Sequence, residues 1–290
     1  MSHEFNRKMK YALSFLPDRL YLQMIYFRHF GRFINFKHPK TFNEKLQWLK
    51  VNNKNPLYTD LVDKYEAKKH IEKSVGKKYV IKTLAVYDNF DDIDFDRLPN
   101  KFVMKTTHDS GGVVIVKNKK EMKIEKVKEK INTSLSRNFF YYGREWPYKN
   151  VKPRIIIEEY IDGGENLNDY KLMCFNGKME MSFVCTDRYN DDGLKVTFFD
   201  KDWQKLPFTR HYPAAKENIS KPKYYDEMVK VAEKLAKDMP FVRIDFYEVG
   251  DRIYVGELTF YPGSGFEEFS DYEWDEKIGD MLDLSGVMGG

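Results

Sequence analysis

From Gly76 onward the chain falls into short β-rich runs with few helices between them, at 79–87, 101–107, 113–117, 154–161, 170–175, 178–185, 194–200, 241–249 and 252–260. Gly, Asp, Asn or Pro bounds the runs, as turn chemistry requires. Parallel strands need a crossover of about a dozen residues or more, usually a helix, between each pair. Between these runs only 121–135 and 224–237 read as helices. The expected fold is therefore α+β, built on antiparallel sheets rather than on a doubly wound parallel sheet. Two turns are explicit. Phe175-Asn-Gly-Lys178 carries the Asn-Gly pair of a two-residue hairpin, and Gly250-Asp251 joins the two late strands.

Before Gly76 the texture is aromatic, basic and helical. Two or three short helices are expected over 5–50, broken near Pro17 and Pro39, and another over 57–74. Thr41-Phe-Asn-Glu44 has the spacing of a capping box ahead of apolar Leu46, Trp48 and Leu49. A last helix is expected over about 272–283.

Composition narrows the class. With 42% hydrophobic residues in 290, the chain is neither disordered nor short of core. No run approaches the roughly 18 apolar residues of a membrane span. MSHEFNRKMK leads into no apolar h-region, and Cys174 and Cys185 are the only cysteines. A secretory signal, a disulfide scaffold and a Cys/His zinc site are not expected; a reducing cytoplasm is. The net charge of +4 hides a polarity. Residues 1–50 hold ten Lys/Arg against three acids, +7, and residues 251–290 hold two against ten, −8. A basic end can face anionic lipid, nucleic acid or an acidic polymer. Docking of the two ends on each other, or plain solvation, is the blander expectation.

Three stretches can carry chemistry. Phe102-Val-Met-Lys105-Thr-Thr-His108-Asp109-Ser110-Gly111-Gly112 reads as a strand running into a polar, Gly-containing loop. Its small residues can expose backbone N–H groups to phosphate oxygens, with Lys105 adding an ammonium. A plain hairpin with a soluble tip fits the spacing equally well. Phe241-Val-Arg243-Ile-Asp245-Phe and Val255-Gly-Glu257-Leu-Thr259 alternate. If they pair around Gly250, one sheet face gathers a guanidinium, two carboxylates and a hydroxyl. Like charges buried together call for a cation, and hard oxygens suit Mg²⁺, with the Arg beside a phosphate rather than neutralising the acids. An edge salt bridge is the alternative. Arg154-Ile-Ile-Ile-Glu158-Glu159-Tyr160-Ile161, with Asp162 and Glu165 behind it, can offer backbone groups to an adenine edge and a carboxylate to a ribose; most such strands are simply core. Asp94-Phe-Asp96 spells a DxD within an acidic loop and reads as a solvated turn. His108 and His211 stand alone, and the cysteines read as core thiols.

Taken in order, TFNEKLQWLK (41–50), DKYEAKKHI (63–71), FVMKTTHDSGG (102–112), RIIIEEYI (154–161), DYKLMCFNGK (169–178), DKDWQKLPF (200–208) and FVRIDFYEVGDRIYVGELTFYPGSGF (241–266) resemble the ATP-grasp superfamily. They look most like its TupA-like branch, linked with teichuronopeptide and other surface-polysaccharide biosynthesis. The resemblance implies an ATP-grasp fold of two antiparallel-sheet subdomains sandwiching ATP. The division it suggests is a helical, basic region at 1–75, a small subdomain with the phosphate-covering loop at 76–161, and a large subdomain with the metal site at 162–290. It further implies that Lys64 and Lys105 reach the nucleotide phosphates, that His108, Asp109, Ser110, Gly111 and Gly112 form the mobile loop over them, and that Glu158, Glu159, Tyr160 and Ile161 form the hinge that reads adenine. Glu165 matches the ribose carboxylate, with Asp162 as a nearby competitor; Arg243 matches the arginine that stabilises the transferred phosphoryl group, and Asp245 and Glu257 the magnesium acids. Thr259 stands where many relatives have Asn, so the third metal contact is expected to be a neutral hydroxyl or a water.

The activity implied is ATP-dependent joining of a carboxylate to an amine through an acyl phosphate. The expected cofactors are ATP and Mg²⁺. The expected substrates are an acidic sugar or polysaccharide precursor and an amine or amino acid. No nucleic acid is expected, and the basic N-terminus could rest on anionic membrane at the inner face. A glycosyltransferase using Asp94 and Asp96, and a non-catalytic nucleotide- or glycan-binding module, are the rival readings.

Overall fold

The computed structural model describes residues 11–163, 168–186 and 193–288. The chain forms two compact units. One takes residues up to Lys54 and again from Gly163; the other takes Asn55–Asp162. Glu165 lies outside the described residues.

The Asn55–Asp162 unit opens with helices α3 (Leu57–Val62) and α4 (Glu66–Val75). The single helix expected over 57–74 is thus two. Asp63 leaves the helical region at ψ 115°, its carboxylate bonds the N–H groups of Tyr65 and Glu66, and the Lys64 N–H bonds the Thr107 carbonyl. A tertiary contact and a local Asp turn outbid helix continuation there. A four-stranded antiparallel sheet follows in the order β1-β4-β2-β3, with β1 Thr83–Tyr87, β2 Phe102–Thr106, β3 Val113–Val116 and β4 Ile155–Glu159. Helix α5 (Ile124–Leu135) covers one face. Phe102, Met104, Ile155 and Ile157 bury themselves there with Val127 and Ile131. Strand alternation therefore sends Val103, Lys105, Ile156 and Glu158 to the other face. The short helix α6 (Phe140–Gly143) lies in the aromatic loop before β4.

The other unit begins with α1 (Asp18–Phe30), which starts directly after Pro17, and α2 (Phe42–Asn52). The capping box is present: the Thr41 hydroxyl accepts from the Glu44 N–H, and the Glu44 carboxylate accepts from the Thr41 N–H. Such a cap is worth about 1 kcal/mol. The same carboxylate also accepts from the N–H groups of Asn35 and Lys40, tying down the loop ahead of the helix. A five-stranded antiparallel sheet follows in the order β7-β6-β5-β8-β9. Its strands are β5 Asp169–Phe175, β6 Lys178–Thr186, β7 Lys195–Asp200, β8 Phe241–Val249 and β9 Arg252–Thr259, with α7 (Tyr225–Leu235) between β7 and β8. Asn176 (φ 48°) and Gly177 (φ 81°) both take the left-handed conformation that the Asn-Gly turn requires.

Helices α8 (Tyr272–Asp280) and α9 (Ser285–Met288) close the chain. Helix α2 packs on α8. Asn43 donates to Asp275, and Lys45 donates to the Gly279 and Leu282 carbonyls at 2.8 Å each, satisfying carbonyls at the end of α8. The basic and acidic ends thus do meet in part, with Arg32 3.7 Å from Asp275. Cys174 and Cys185 are buried and form no disulfide with each other, and burial pushes the Cys174 thiol up. No helix among the described residues is long and apolar enough to cross a membrane.

Candidate active site

Each unit carries one cluster of charged groups. In the Asn55–Asp162 unit the cluster is built on Glu158. Its carboxylate is buried and takes Lys68 Nζ from α4 at 2.5 Å and Lys105 Nζ from β2 at 2.6 Å. The register explains the second pair. Glu158 lies opposite Val103, and Lys105 is two residues further along the same face. Burial opposes charge on Glu158, but Lys105 and Lys68 outweigh it, and the carboxyl is held below its ordinary range. Lys68 is pulled the other way: burial lowers it, with Lys105 adding repulsion, and Glu158 compensates only in part. Two ammoniums share one carboxylate, so the cluster is positive by one, with Lys64 a third ammonium in the same unit. Its Nζ donates to the Asp109 carbonyl at 2.6 Å.

That last bond holds the Gly loop. His108 Nε2 meets the Arg137 carbonyl at 3.0 Å, and burial lowers the ring's pKa, favouring neutral imidazole. The Asp109 carboxylate accepts a short bond from the Ser134 hydroxyl, which also meets Thr106 Oγ1 at 2.7 Å. Gly112 fits because it has no Cβ: one there would stand 2.1 Å from both the Ser134 and Thr106 hydroxyls. Ser110 and Gly111, the latter at φ 99°, are the exposed tip. His108, Asp109 and Gly112 therefore anchor the loop, and Ser110 and Gly111 present it. Glu159 is exposed; Tyr160 and Ile161 are half-buried, and Asp162 pairs with Lys101 at 3.0 Å.

The second cluster lies across β5, β8 and β9. Lys171, Asp245 and Glu257 stand opposite one another in a cross-strand row, with Arg243 and Thr259 paired one step along. Arg243 donates to both Asp245 oxygens, at 2.6 and 2.8 Å, to Glu257 at 3.1 Å and to the Thr259 hydroxyl at 3.0 Å. Lys171 makes a short bond to Asp245 and lies 2.8 Å from Asp169. The guanidinium lies against the acids, as in the salt bridge weighed as the alternative. With Asp245 buried, the Arg243 guanidinium and the Lys171 ammonium together offset its charge. Burial pushes the Asp245 carboxyl up to about 6 against the pull of Arg243 and Lys171. Burial works against charge on Arg243 and Lys171; Asp245 more than offsets it, and both are raised.

A β-bulge makes this face possible. The register slips between Asp245 and Phe246, with Gly256 the extra residue on β9. Val255 and Leu258, three apart, can then both be buried, opposite Phe246 and Ile244, while Glu257 and Thr259 keep the charged face. A Cβ at Gly256 would stand 2.9 Å from the Tyr247 ring.

Three acids, Asp169, Asp245 and Glu257, against Lys171 and Arg243 leave this cluster negative by one. Its donors are hard oxygens, and the Glu257 side chain is 44% exposed. No group of three or more His, Cys, Asp or Glu among the described residues could hold a metal by itself. Mg²⁺ is ordinarily bound by one or two carboxylates plus substrate phosphates and water, so Asp245, Glu257 and Thr259 fit an ion delivered with a nucleotide.

Sequence reasoning missed Lys68, Asp169 and Lys171 as members of these clusters. The alternation Asp169-x-Lys171 in an otherwise apolar strand was the available signal for two of them. Asp94 and Asp96 form a turn: the Asp94 carboxylate accepts from the Asp96 N–H and pairs with Arg97 at 3.0 Å.

The chain is thus an antiparallel α+β protein with a lysine-rich cluster in one unit and an acid-rich cluster in the other. The sequence model of the TupA-like ATPgrasp family matches residues 44–283, and the chain belongs to that family. No curated protein matches its sequence at a significant level. Among solved structures, it is similar to the D-alanine–D-alanine ligase from Bacillus anthracis complexed with ATP, at 18% identity and TM-score 0.47, over 79% of this chain and 67% of that one. It is also similar to the L-amino acid ligase from Bacillus licheniformis (16%, TM-score 0.45, 88% and 57%). A third is the N5-carboxyaminoimidazole synthetase from Staphylococcus aureus complexed with ADP (16%, TM-score 0.42, 76% and 52%). The chain spans between about half and two thirds of the length of these proteins.

Proposed function

We propose that the chain is an ATP-dependent carboxylate–amine ligase. The observation that carries the reading is the opposite surplus charge of the two clusters, in a chain of the ATP-grasp family. The surplus ammonium charge of Lys105 and Lys68, with Lys64 nearby in sequence and fold, suits phosphate oxygens. Ser110 and Gly111 offer exposed backbone to the same oxygens. Asp245, Glu257 and Thr259 are the assigned metal contacts. Magnesium, when bound with the nucleotide, supplies charge neutralisation at the phosphates.

In the proposed reaction a carboxylate oxygen of one substrate attacks the γ-phosphorus, and the bond to the ADP oxygen breaks. The amine of the second substrate then attacks the acyl carbon. Phosphate leaves, and the amine gives up a proton as the amide forms. Arg243 spreads negative charge as it develops on the transferred group, and holding groups in place is the main means of such catalysis. When the guanidinium turns to the phosphoryl group, Asp245 keeps Lys171 as its counter-charge.

For substrates we propose an acidic unit, such as a uronic acid, of a surface polysaccharide or its precursor, joined to an amino acid or amine. The family's TupA-like character supports this. The test is ADP release by the full chain with Mg·ATP across amino acids, amines and uronic acids, singly and in pairs. Release that needs one carboxylate and one amine together supports the ligase. ATP binding with no release under any pair would sink it and leave a binding module.

A further inference from the structure

Helix α1 is apolar on two opposite faces. Tyr21, Leu22, Ile25 and Tyr26 are buried in the core with Ile34. At 100° per residue, Leu20, Met24 and Phe27 fall within about 60° of one another on the far side. They are 49%, 45% and 47% exposed. Phe33, 65% exposed, stacks on Phe27 with ring centroids 4.7 Å apart, and Phe15, 78% exposed, precedes the helix. Scattered exposed apolar residues are ordinary; five large ones at and around one helix are the mark of an interaction surface.

The charge around them has one sign. Residues 11–40 contain five Lys/Arg (Arg19, Arg28, Arg32, Lys37, Lys40) and one acid, Asp18. Asp18 lies 4.0 Å from Lys54, and Arg32 is held by Asp275 and the Tyr272 ring. Arg28, Lys37 and Lys40 are exposed, and their side chains make no ion pair among the described residues.

We propose that this face of α1, with Phe33, docks on the surface of an anionic lipid bilayer. Leu20, Met24, Phe27 and Phe33 enter the boundary between headgroups and acyl chains, and Arg28, Lys37 and Lys40 meet lipid phosphates. A helix lying in the interface needs both an apolar stripe and flanking cations, and both are here. A second copy of the chain fits less well: a two-fold contact would set the same unpaired cations against themselves. An acidic polymer would use the cations and leave the stripe without a role. This inference goes beyond the ligase reading and does not depend on it.

The experiment is flotation of the full chain with phosphatidylcholine vesicles, with and without phosphatidylglycerol. Binding is expected only with the anionic lipid and is expected to weaken with salt. Met24→Ser/Phe27→Ser should lower binding by about tenfold or more through lost apolar insertion. Arg28→Glu/Lys37→Glu should lower it by about tenfold or more through lost charge attraction. Phe33→Ser repeats the test outside the helix should the double variant fold poorly. All three variants should bind ATP as the parent chain does. No flotation with anionic vesicles, or equal flotation with neutral ones, overturns the proposal. So does binding indifferent to Met24→Ser/Phe27→Ser, which is what an acidic-polymer site would give. Self-association that this variant abolishes would instead make the face a contact between copies.

Discussion

Replacing Glu158 by Gln tests whether the lysine cluster is held together by one carboxylate. The change is nearly isosteric and leaves Lys68 and Lys105 side by side without their acid, Lys68 still donating to the Ile81 carbonyl. Each loses a partner at 2.5 or 2.6 Å, and neither gains another acid. Breaking a buried pair by removing one member costs roughly 3–5 kcal/mol. Both ammoniums keep a little contact with solvent, at 13% and 16% side-chain exposure, so the low end, about 3 kcal/mol, applies. With a urea slope of about 3 kcal/mol/M, the midpoint falls by about 1 M. Hydrogen exchange at β2 and β4 localises the loss to this unit.

The pH dependence carries the sign. The folded-state pKa of Glu158 is depressed, so its contribution is present above the unfolded value of about 4.3 and is lost as pH falls through the folded one. The gap between Glu158→Gln and the parent should thus be widest near neutrality and close toward acid. Adding Lys68→Met to Glu158→Gln should recover part of the loss, since it removes one stranded charge. An unchanged urea midpoint, or a gap indifferent to pH, would refute the reasoning.

Glu257→Gln should leave stability within about 0.5 kcal/mol, because the side chain is nearly half exposed, yet lower ADP release roughly a hundredfold. Full activity would remove Glu257 from the metal assignment. Asp245→Asn is the poorer probe of the same site, since that carboxylate also holds Arg243 and Lys171 and its loss mixes folding with chemistry. Gly112→Ala should destabilise the chain by about 1–3 kcal/mol, because the new methyl group meets two buried hydroxyls. A thermal midpoint equal to the parent's would show that Ser134 and Thr106 move aside.

Local chemistry was the legible part of the sequence. The capping box at Thr41 and Glu44, the Asn176-Gly177 turn and the Arg243/Glu257 hairpin are set by neighbours a few residues apart, and all are present. The split between α3 and α4 was not legible, because it depends on Thr107, far along the chain. Nor were the roles of Lys68 and Lys171: a lysine's spacing does not say which carboxylate it will meet once sheets form. The bulge at Gly256 left a readable trace, since Ile253, Val255 and Leu258 shift from a spacing of two to a spacing of three. The sheet order β1-β4-β2-β3, with its last strand inserted between earlier ones, has no counterpart in local pattern.

The interrupted path of the polypeptide governs how it can be made. Synthesis runs from the amino end, and domains fold as units as they emerge. The Asn55–Asp162 unit has all its residues once the ribosome has passed Asp162. The stretch before it does not: Asn43 waits for Asp275, and Lys45 waits for Gly279 and Leu282, partners more than 230 residues downstream. During that interval Phe42 also lacks Phe175 and Phe241, the rings it packs against, so helix α2 completes its packing only after the middle unit has all its residues.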